Sequence, residues 1–145
     1  MAHEFKIVRR VEFSETDMAG IVHYSNFFRY MEYAEHAFYR SLGFSVVTCT
    51  PEMPVGWPRV HAECDYQKPL RFEDEVEIHL LVSEKRSKVM SYQFRFRKVG
   101  APQEIARGKL TVVCVTRDEH GLMRSVPIPK SIDDQIEVAP PEKLA

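Results

Sequence analysis

The sequence predicts a single α+β domain in which an antiparallel sheet curls around one long, buried helix. Three observations lead there. The chain has 145 residues, enough to bury one sizeable core and short of two. Residues 26–42 place apolar side chains on one broad arc at helical spacing. The segments after them carry the alternation and the β-branched and aromatic enrichment of strands. A sheet with one apolar face must cover that face, and the only long cover on offer is the helix.

The elements follow in order. "FKIVRRVEF" (5–13) is enriched in β-branched and aromatic residues and predicts a first strand. A loop holding Asp17 and Gly20 comes next. Ser25 or Asn26 supplies the helix N-cap, and Gly43 stops the helix after about Leu42. On a helical wheel Phe27, Phe28, Tyr30, Met31, Ala34, Ala37, Phe38 and Leu42 fill one arc. Arg29, Glu32, Tyr33, His36 and Arg40 form the opposing stripe, with Glu35 at the margin and Glu32 and His36 spaced to pair. An arc that wide marks a core helix. "RVHAECDYQ" (59–67) and "EVEIHLLVS" (75–83) read as strands. In "KVMSYQFRFRKV" (88–99), Met90, Tyr92, Phe94 and Phe96 face one way and Ser91, Gln93, Arg95 and Arg97 the other. "EIARGKLTVVCVTRD" (104–118) reads as one long strand, "DEHG" as a turn, and residues 137–145 as a loose tail. One domain spans 1–145, with no repeat or low-complexity tract.

Charge and composition narrow the function. Twenty Lys and Arg against 21 Asp and Glu leave a formal net charge of −1, with no basic patch for nucleic acid or an anionic membrane. No apolar run reaches spanning length, and "MAHEFKIVRR" lacks the apolar stretch of a signal peptide. A cytoplasmic protein without a transmembrane segment is expected. Cys49, Cys64 and Cys114 are odd in number and isolated, so they read as packed thiols rather than a disulfide framework or metal clamp. His61 and His79 lie on separate strands without ligand spacing, and no metal is expected.

The stretch "FSETDMAGIVHYSNFFRYMEYAEHA" (13–37) carries the chemistry. Asp17 sits in a small-residue loop just before the helix opens. An acid there is either a turn or cap residue or half of a catalytic site. The other half would be the helix N-terminus, whose unpaired N–H groups and positive dipole end stabilise a developing negative charge.

Three ordered segments are similar to one family. "VEFSETDMAGIVHYSNFFRYMEYA" resembles the signature loop and helix start of the 4-hydroxybenzoyl-CoA thioesterase and YbgC-like group of hotdog-fold acyl-CoA thioesterases. "YQKPLRFEDEVEI" resembles the entry to that family's third strand, and "LTVVCVTRDEHGLMRSVPIPKSI" its last strand and C-terminal turn. The resemblance implies a five-stranded antiparallel sheet wrapped on the helix, and homodimers or homotetramers with active sites between subunits. It implies hydrolysis of a small, medium or aromatic acyl-CoA, with coenzyme A as part of the substrate and no cofactor. Asp17 would be base or nucleophile, and the backbone N–H groups around Tyr24 and Ser25 the oxyanion donors.

The remaining candidates keep two readings each. YbgC-like members place a His seven positions after the acid. Here that position is Tyr24, as the aromatic is in 4-hydroxybenzoyl-CoA thioesterases, and His23 falls at six. His23 is a packed loop residue or orients the thioester. Asn26 is a cap or positions Asp17 or water. Phe27, Phe28 and Trp57 are candidate acyl-pocket walls, Trp57 alternatively an interface plug. Arg86 and Lys88 in "EKRSKV" match the family's basic turn for coenzyme A phosphates or form an ordinary charged hairpin, and Ser87 stands where some members have a base. Arg124 and Lys130 are weaker candidates for the same task. Two other functions compete: a non-catalytic acyl-CoA-binding module and a hotdog dehydratase or hydratase.

Overall fold

The computed structural model describes residues 1–47 and 52–145. The strand β1 (Glu4–Arg10) is followed by one 3-10 turn (Phe13–Glu15) and the helix α1 (Asn26–Ser41). Strands β2 (Arg59–Tyr66), β3 (Glu75–Lys85), β4 (Val89–Lys98) and β5 (Glu104–Val113) come next. A small ribbon of β6 (Val115–Arg117) and β7 (Met123–Ser125) and two short helices, α2 (Lys130–Asp133) and α3 (Pro141–Leu144), complete the chain.

The five long strands form one antiparallel sheet in the order β1-β3-β4-β5-β2. Register shifts at Arg59/His61, Val82/Glu84 and Phe96/Arg97 bend it, because an extra residue on one strand raises the local twist. The curled face receives α1, which at 16 residues is about 24 Å long. Met90, Tyr92, Phe94 and Phe96 pack inward with Ile78, Leu80 and Val82 of β3 against Phe27, Tyr30, Met31, Ala34 and Phe38 of α1. Where α1 crosses β5 there is no room for a side chain: a Cβ on Gly108 would lie 2.1 Å from Met31 Cε. α1 ends as the sequence predicts, with Gly43 in the left-handed region at φ +87°.

Five expectations need correction. The strand expected over 104–118 breaks at Cys114, whose N–H goes to Lys88 and whose carbonyl accepts from Val126, so Val115–Arg117 pairs with β7 instead. The tail is not loose. Ala139 is buried and donates its N–H to Val82, Lys143 pairs with Glu4, and Arg95 reaches the Leu144 carbonyl at 3.2 Å. Pro140 and Pro141 preset the entry into α3. Glu35, expected at the wheel's margin, is 0% exposed, because Arg59 comes over from β2 to meet it at 2.5 and 3.1 Å. Glu32 therefore pairs with Arg59 at 3.5 Å, and His36 lies beside Glu35 at 3.8 Å, in place of a Glu32–His36 pair. Tyr39, absent from the expected apolar arc, is buried with its hydroxyl 3.0 Å from that of Tyr92. Cys64 is half-buried and Cys114 buried, as packed thiols should be; Cys49 lies outside the described residues.

Candidate active site

The site is assembled where α1 begins. After Val11 enters the core, Glu12 and Glu15 close a reciprocal capping box around the 3-10 turn. The chain then folds back as a tight hairpin with Thr16 opposite Val22. Asp17 N–H donates to Ile21 and His23 N–H to Glu15, at 3.0 and 2.9 Å. Gly20, at φ +80°, makes the tip possible. Asp17 Oδ1 accepts Ala19 N–H at 2.9 Å, which closes the turn. Its second oxygen accepts no hydrogen bond from the described residues, and the side chain is exposed.

The helix start keeps one donor free. Asn26 N–H donates to His23, Phe27 N–H to Tyr24 and Phe28 N–H to Ser25, at 2.9, 3.3 and 3.2 Å. Ser25 sits at the N-cap, but its side chain does not cap. Instead its hydroxyl meets His23 Nδ1 at 2.7 Å, and its N–H reaches the same nitrogen at 3.3 Å. A backbone N–H only donates, so Nδ1 accepts and Nε2 carries the proton of the neutral ring. Tyr24 N–H donates to no described residue. Its orientation is nevertheless fixed, because the same peptide unit's carbonyl, on His23, is held by Asn26 N–H. Asn26 does not cap either; its Nδ2 donates to the Glu15 carbonyl at 2.8 Å.

Asp17 and Tyr24 open on one cavity of about 370 Å³, walled by Ile21, Val22, Phe27, Tyr66 and Pro69, with Gln67 and Lys68 at its rim. Phe27 is packed edge-on against Tyr30, Tyr66 and Phe96. Tyr66 donates its hydroxyl to the Tyr24 carbonyl at 3.0 Å. Burial, with Cys64 beside it, pushes the Tyr66 phenol up to about 12, so it remains a donor throughout the neutral range. A larger groove of about 560 Å³ lies by Pro54, Val55, Gly56, Pro58, Val115, Thr116, Arg117 and Met123. It offers no carboxylate, imidazole or thiol, so chemistry selects the smaller cavity.

Not all the candidates meet there. Asp17, Tyr24 and Phe27 line the cavity, while His23, Ser25 and Asn26 build the backbone around it. Phe28 lies on the far side of α1, in a groove with Met31, Glu32, Arg59 and Ala62. Trp57 is buried edge-on against Tyr39. Arg86 and Lys88 stand at the opposite end of the sheet. Tyr66 aligns with Ala106 and Phe96, the hairpin with Met90 and Val113; six residues of β4 separate those levels, roughly 20 Å. There Arg86 pairs with Glu84 at 3.0 Å and Lys88 reaches Ser125 Oγ at 3.4 Å. Among the described residues no group of His, Cys, Asp and Glu is placed to hold a metal ion.

Three residues of the site escape sequence reasoning. Glu15 gives a local signal, since Glu12 and Glu15 have capping-box spacing. Tyr66 and Lys68 give none, lying about fifty residues from Asp17 at the far end of an edge strand.

Comparison with known proteins follows the same residues. The model of the thioesterase-like superfamily matches residues 11–136. Over 94% of this chain and 91% of the relative's length, the sequence is 26% identical to the 1,4-dihydroxy-2-naphthoyl-CoA hydrolase of Synechococcus sp.. The structure of a hypothetical protein of Aquifex aeolicus superposes with a TM-score of 0.82 at 32% identity, over 92% of this chain and 99% of that one. A gentisyl-coenzyme A thioesterase superposes with a TM-score of 0.76 at 32% identity, over 89% and 99%.

Proposed function

This chain belongs to the thioesterase-like superfamily and is a hotdog-fold acyl-CoA thioester hydrolase, and from that premise we propose that the Asp17 carboxylate acts as nucleophile or general base while Tyr24 N–H receives the oxyanion. The observation that carries the reading is the shared cavity, lined both by Asp17, whose second oxygen accepts no hydrogen bond from the described residues, and by Tyr24, whose N–H donates to none of them. As the thioester carbonyl becomes tetrahedral, its oxygen gains charge and Tyr24 N–H stabilises it, helped by the positive end of α1. Asp17 either forms the new C–O bond itself, giving an acyl anhydride that water later opens, or takes a proton from the water that forms it. The C–S bond breaks and coenzyme A leaves. In the general-base route the departing sulfur takes the proton that Asp17 removed from water, and in the covalent route it leaves as the thiolate and takes its proton from solvent. His23, with its hydrogen on Nε2, supports the loop.

The cavity wall of Tyr24, Phe27 and Tyr66 supports an aromatic acyl group. The relatives named for 1,4-dihydroxy-2-naphthoyl-CoA and gentisyl-CoA point the same way. Lys68 at the rim is the cation best placed in this chain for the nucleotide phosphates. Arg86 and Lys88 would contribute only from a second subunit, since roughly 20 Å separates them from this cavity.

The test is thiol release from a panel of aliphatic and aromatic acyl-CoA esters by the wild type and Asp17→Asn. The expected result is preference for an aryl ester and a loss of more than about 100-fold in the variant. Equal release by both would make Asp17 a turn residue. Binding without release by either would favour the acyl-CoA-binding module. A single turnover in 18O-water then tests the covalent route. An unlabelled first product, with the label in the Asp17 carboxylate, means attack by Asp17 itself and opening of the anhydride at the Asp17 carbonyl. A labelled product means that water attacked the acyl carbon, directly or in the anhydride.

A further inference from the structure

The loop that carries Asp17 and the turn that carries Tyr24 N–H are separate stretches of chain, and their relative position decides whether attack and oxyanion stabilisation act on one carbonyl. Besides the hairpin's own bonds, with Thr16 opposite Val22 and Asp17 N–H on Ile21, Glu15 fastens them to the rest of the fold. The Glu15 side chain turns inward, two residues before Asp17, and accepts Glu12 N–H at 2.8 Å, Tyr30 Oη at 3.0 Å and Arg9 Nη2 at 2.5 Å. Its carbonyl accepts His23 N–H at 2.9 Å and Asn26 Nδ2 at 2.8 Å. Glu15 thus ties β1, the 3-10 turn, the returning arm of the hairpin and the first two turns of α1. Arg9 is itself clamped, its guanidinium 5.4 Å from the Tyr30 ring centre and 4.8 Å from that of Tyr33. Burial pushes the Glu15 carboxyl up, but Glu12 N–H, Arg9 and Tyr30 outweigh it and hold the group below the usual carboxylate range.

We propose that Glu15 is the positioning residue of the active site, setting Asp17 against Tyr24 N–H through its five hydrogen bonds without touching the substrate. The inference rests on the assignment of Asp17 and Tyr24 above. A small rotation of either arm moves the acid or the donor off the reacting carbonyl, and such misplacement is felt in the transition state more than in ground-state binding. Glu15 should therefore govern kcat and leave KM nearly alone.

Glu15→Gln, Tyr30→Phe and Asp17→Asn are compared with the wild type on the best ester from the panel, each well below its own melting temperature. Glu15→Gln keeps size and an acceptor but gives up the charge that Arg9 holds. It should lower kcat at least about tenfold with KM within about threefold. Tyr30→Phe keeps the ring over Arg9, loses only the 3.0 Å bond to Glu15, and should lower kcat at least about threefold with KM unchanged. If Glu15→Gln does not fold, Tyr30→Phe alone decides. Folded variants with wild-type kcat, beside an inactive Asp17→Asn, overturn the role of Glu15 and leave the parent assignment standing. An active Asp17→Asn, or a wild type that cleaves no ester, overturns the parent assignment and this one with it.

Discussion

Replacing Arg59 by Met tests the one buried charge in α1. Glu35 is fully buried, and Arg59 meets both its oxygens while also donating to the Trp57 carbonyl at 3.0 Å. Burial pushes the Glu35 carboxyl up and Arg59 pulls it back, with burial the larger effect. Removing the guanidinium leaves a buried carboxylate whose remaining neighbour of opposite sign is His36, 3.8 Å away and a counter-charge only when protonated. Breaking such a pair from one side costs about 3–5 kcal/mol. For a domain of this size that corresponds to a fall in Tm of roughly 8–15 °C. The loss has a pH signature. Below the unfolded value near 4.5 Glu35 is protonated folded or unfolded and costs nothing by ionising. As pH rises through the elevated folded value, the unfolded chain ionises freely and the folded one resists, so stability is lost. The deficit of Arg59→Met should therefore be larger at pH 8 than at pH 5.5. Thermal melts followed by circular dichroism at both pH values measure it. Glu35→Gln added to Arg59→Met should recover more than half the loss, because the lone charge is gone. A single variant melting within about 2 °C of the wild type at pH 8 would refute the dependence of Glu35 on Arg59.

Three further outcomes follow from the same structure. Gly108→Ala pushes a methyl group against Met31, and denaturant melts should show about 1–3 kcal/mol of destabilisation. Tyr39→Phe leaves the Tyr92 hydroxyl buried without its partner and should cost about 1–3 kcal/mol by the same assay. Arg86→Ala combined with Lys88→Ala should raise KM for acyl-CoA severalfold with kcat unchanged, and added salt should shrink the difference between variant and wild type.

The parts of the fold that sequence made legible are those where burial follows period. Met90, Tyr92, Phe94 and Phe96 alternate because one face of β4 meets α1, and the helix ends at Gly43 because its φ of +87° suits no side chain well. Periodicity fails where a polar group is buried with a distant partner. Glu35 looks marginal on a wheel because nothing local announces Arg59, 24 residues away. Ser91 and Arg95 break the polar-face rule in the same way: both are buried on the outer side of β4, beside Thr111 and the docked tail. In the site, Asp17 and the helix start are contiguous, so their association is readable. Tyr66, Lys68 and the charge beneath Glu15 arrive by strand pairing and packing, which no spacing encodes.

The cavity's remaining deficiency is water. Electrostatic stabilisation of an oxyanion gains strength when the site is dry, yet Tyr24 is 64% exposed in the single chain. β2 completes the cavity through Tyr66 while standing at the sheet edge, bonded only to β5 and exposed at every residue but Cys64. An eight-residue strand with one free edge is a template for pairing unless something covers it. A second copy covering this end of the molecule would exclude solvent from Asp17 and Tyr24. Activity should then depend on assembly. Light scattering should give a multiple of 16.9 kDa, and specific activity per chain should fall on dilution in step with dissociation. A monomer that retains full kcat at nanomolar concentration would refute the requirement for a partner and place the whole site within one chain.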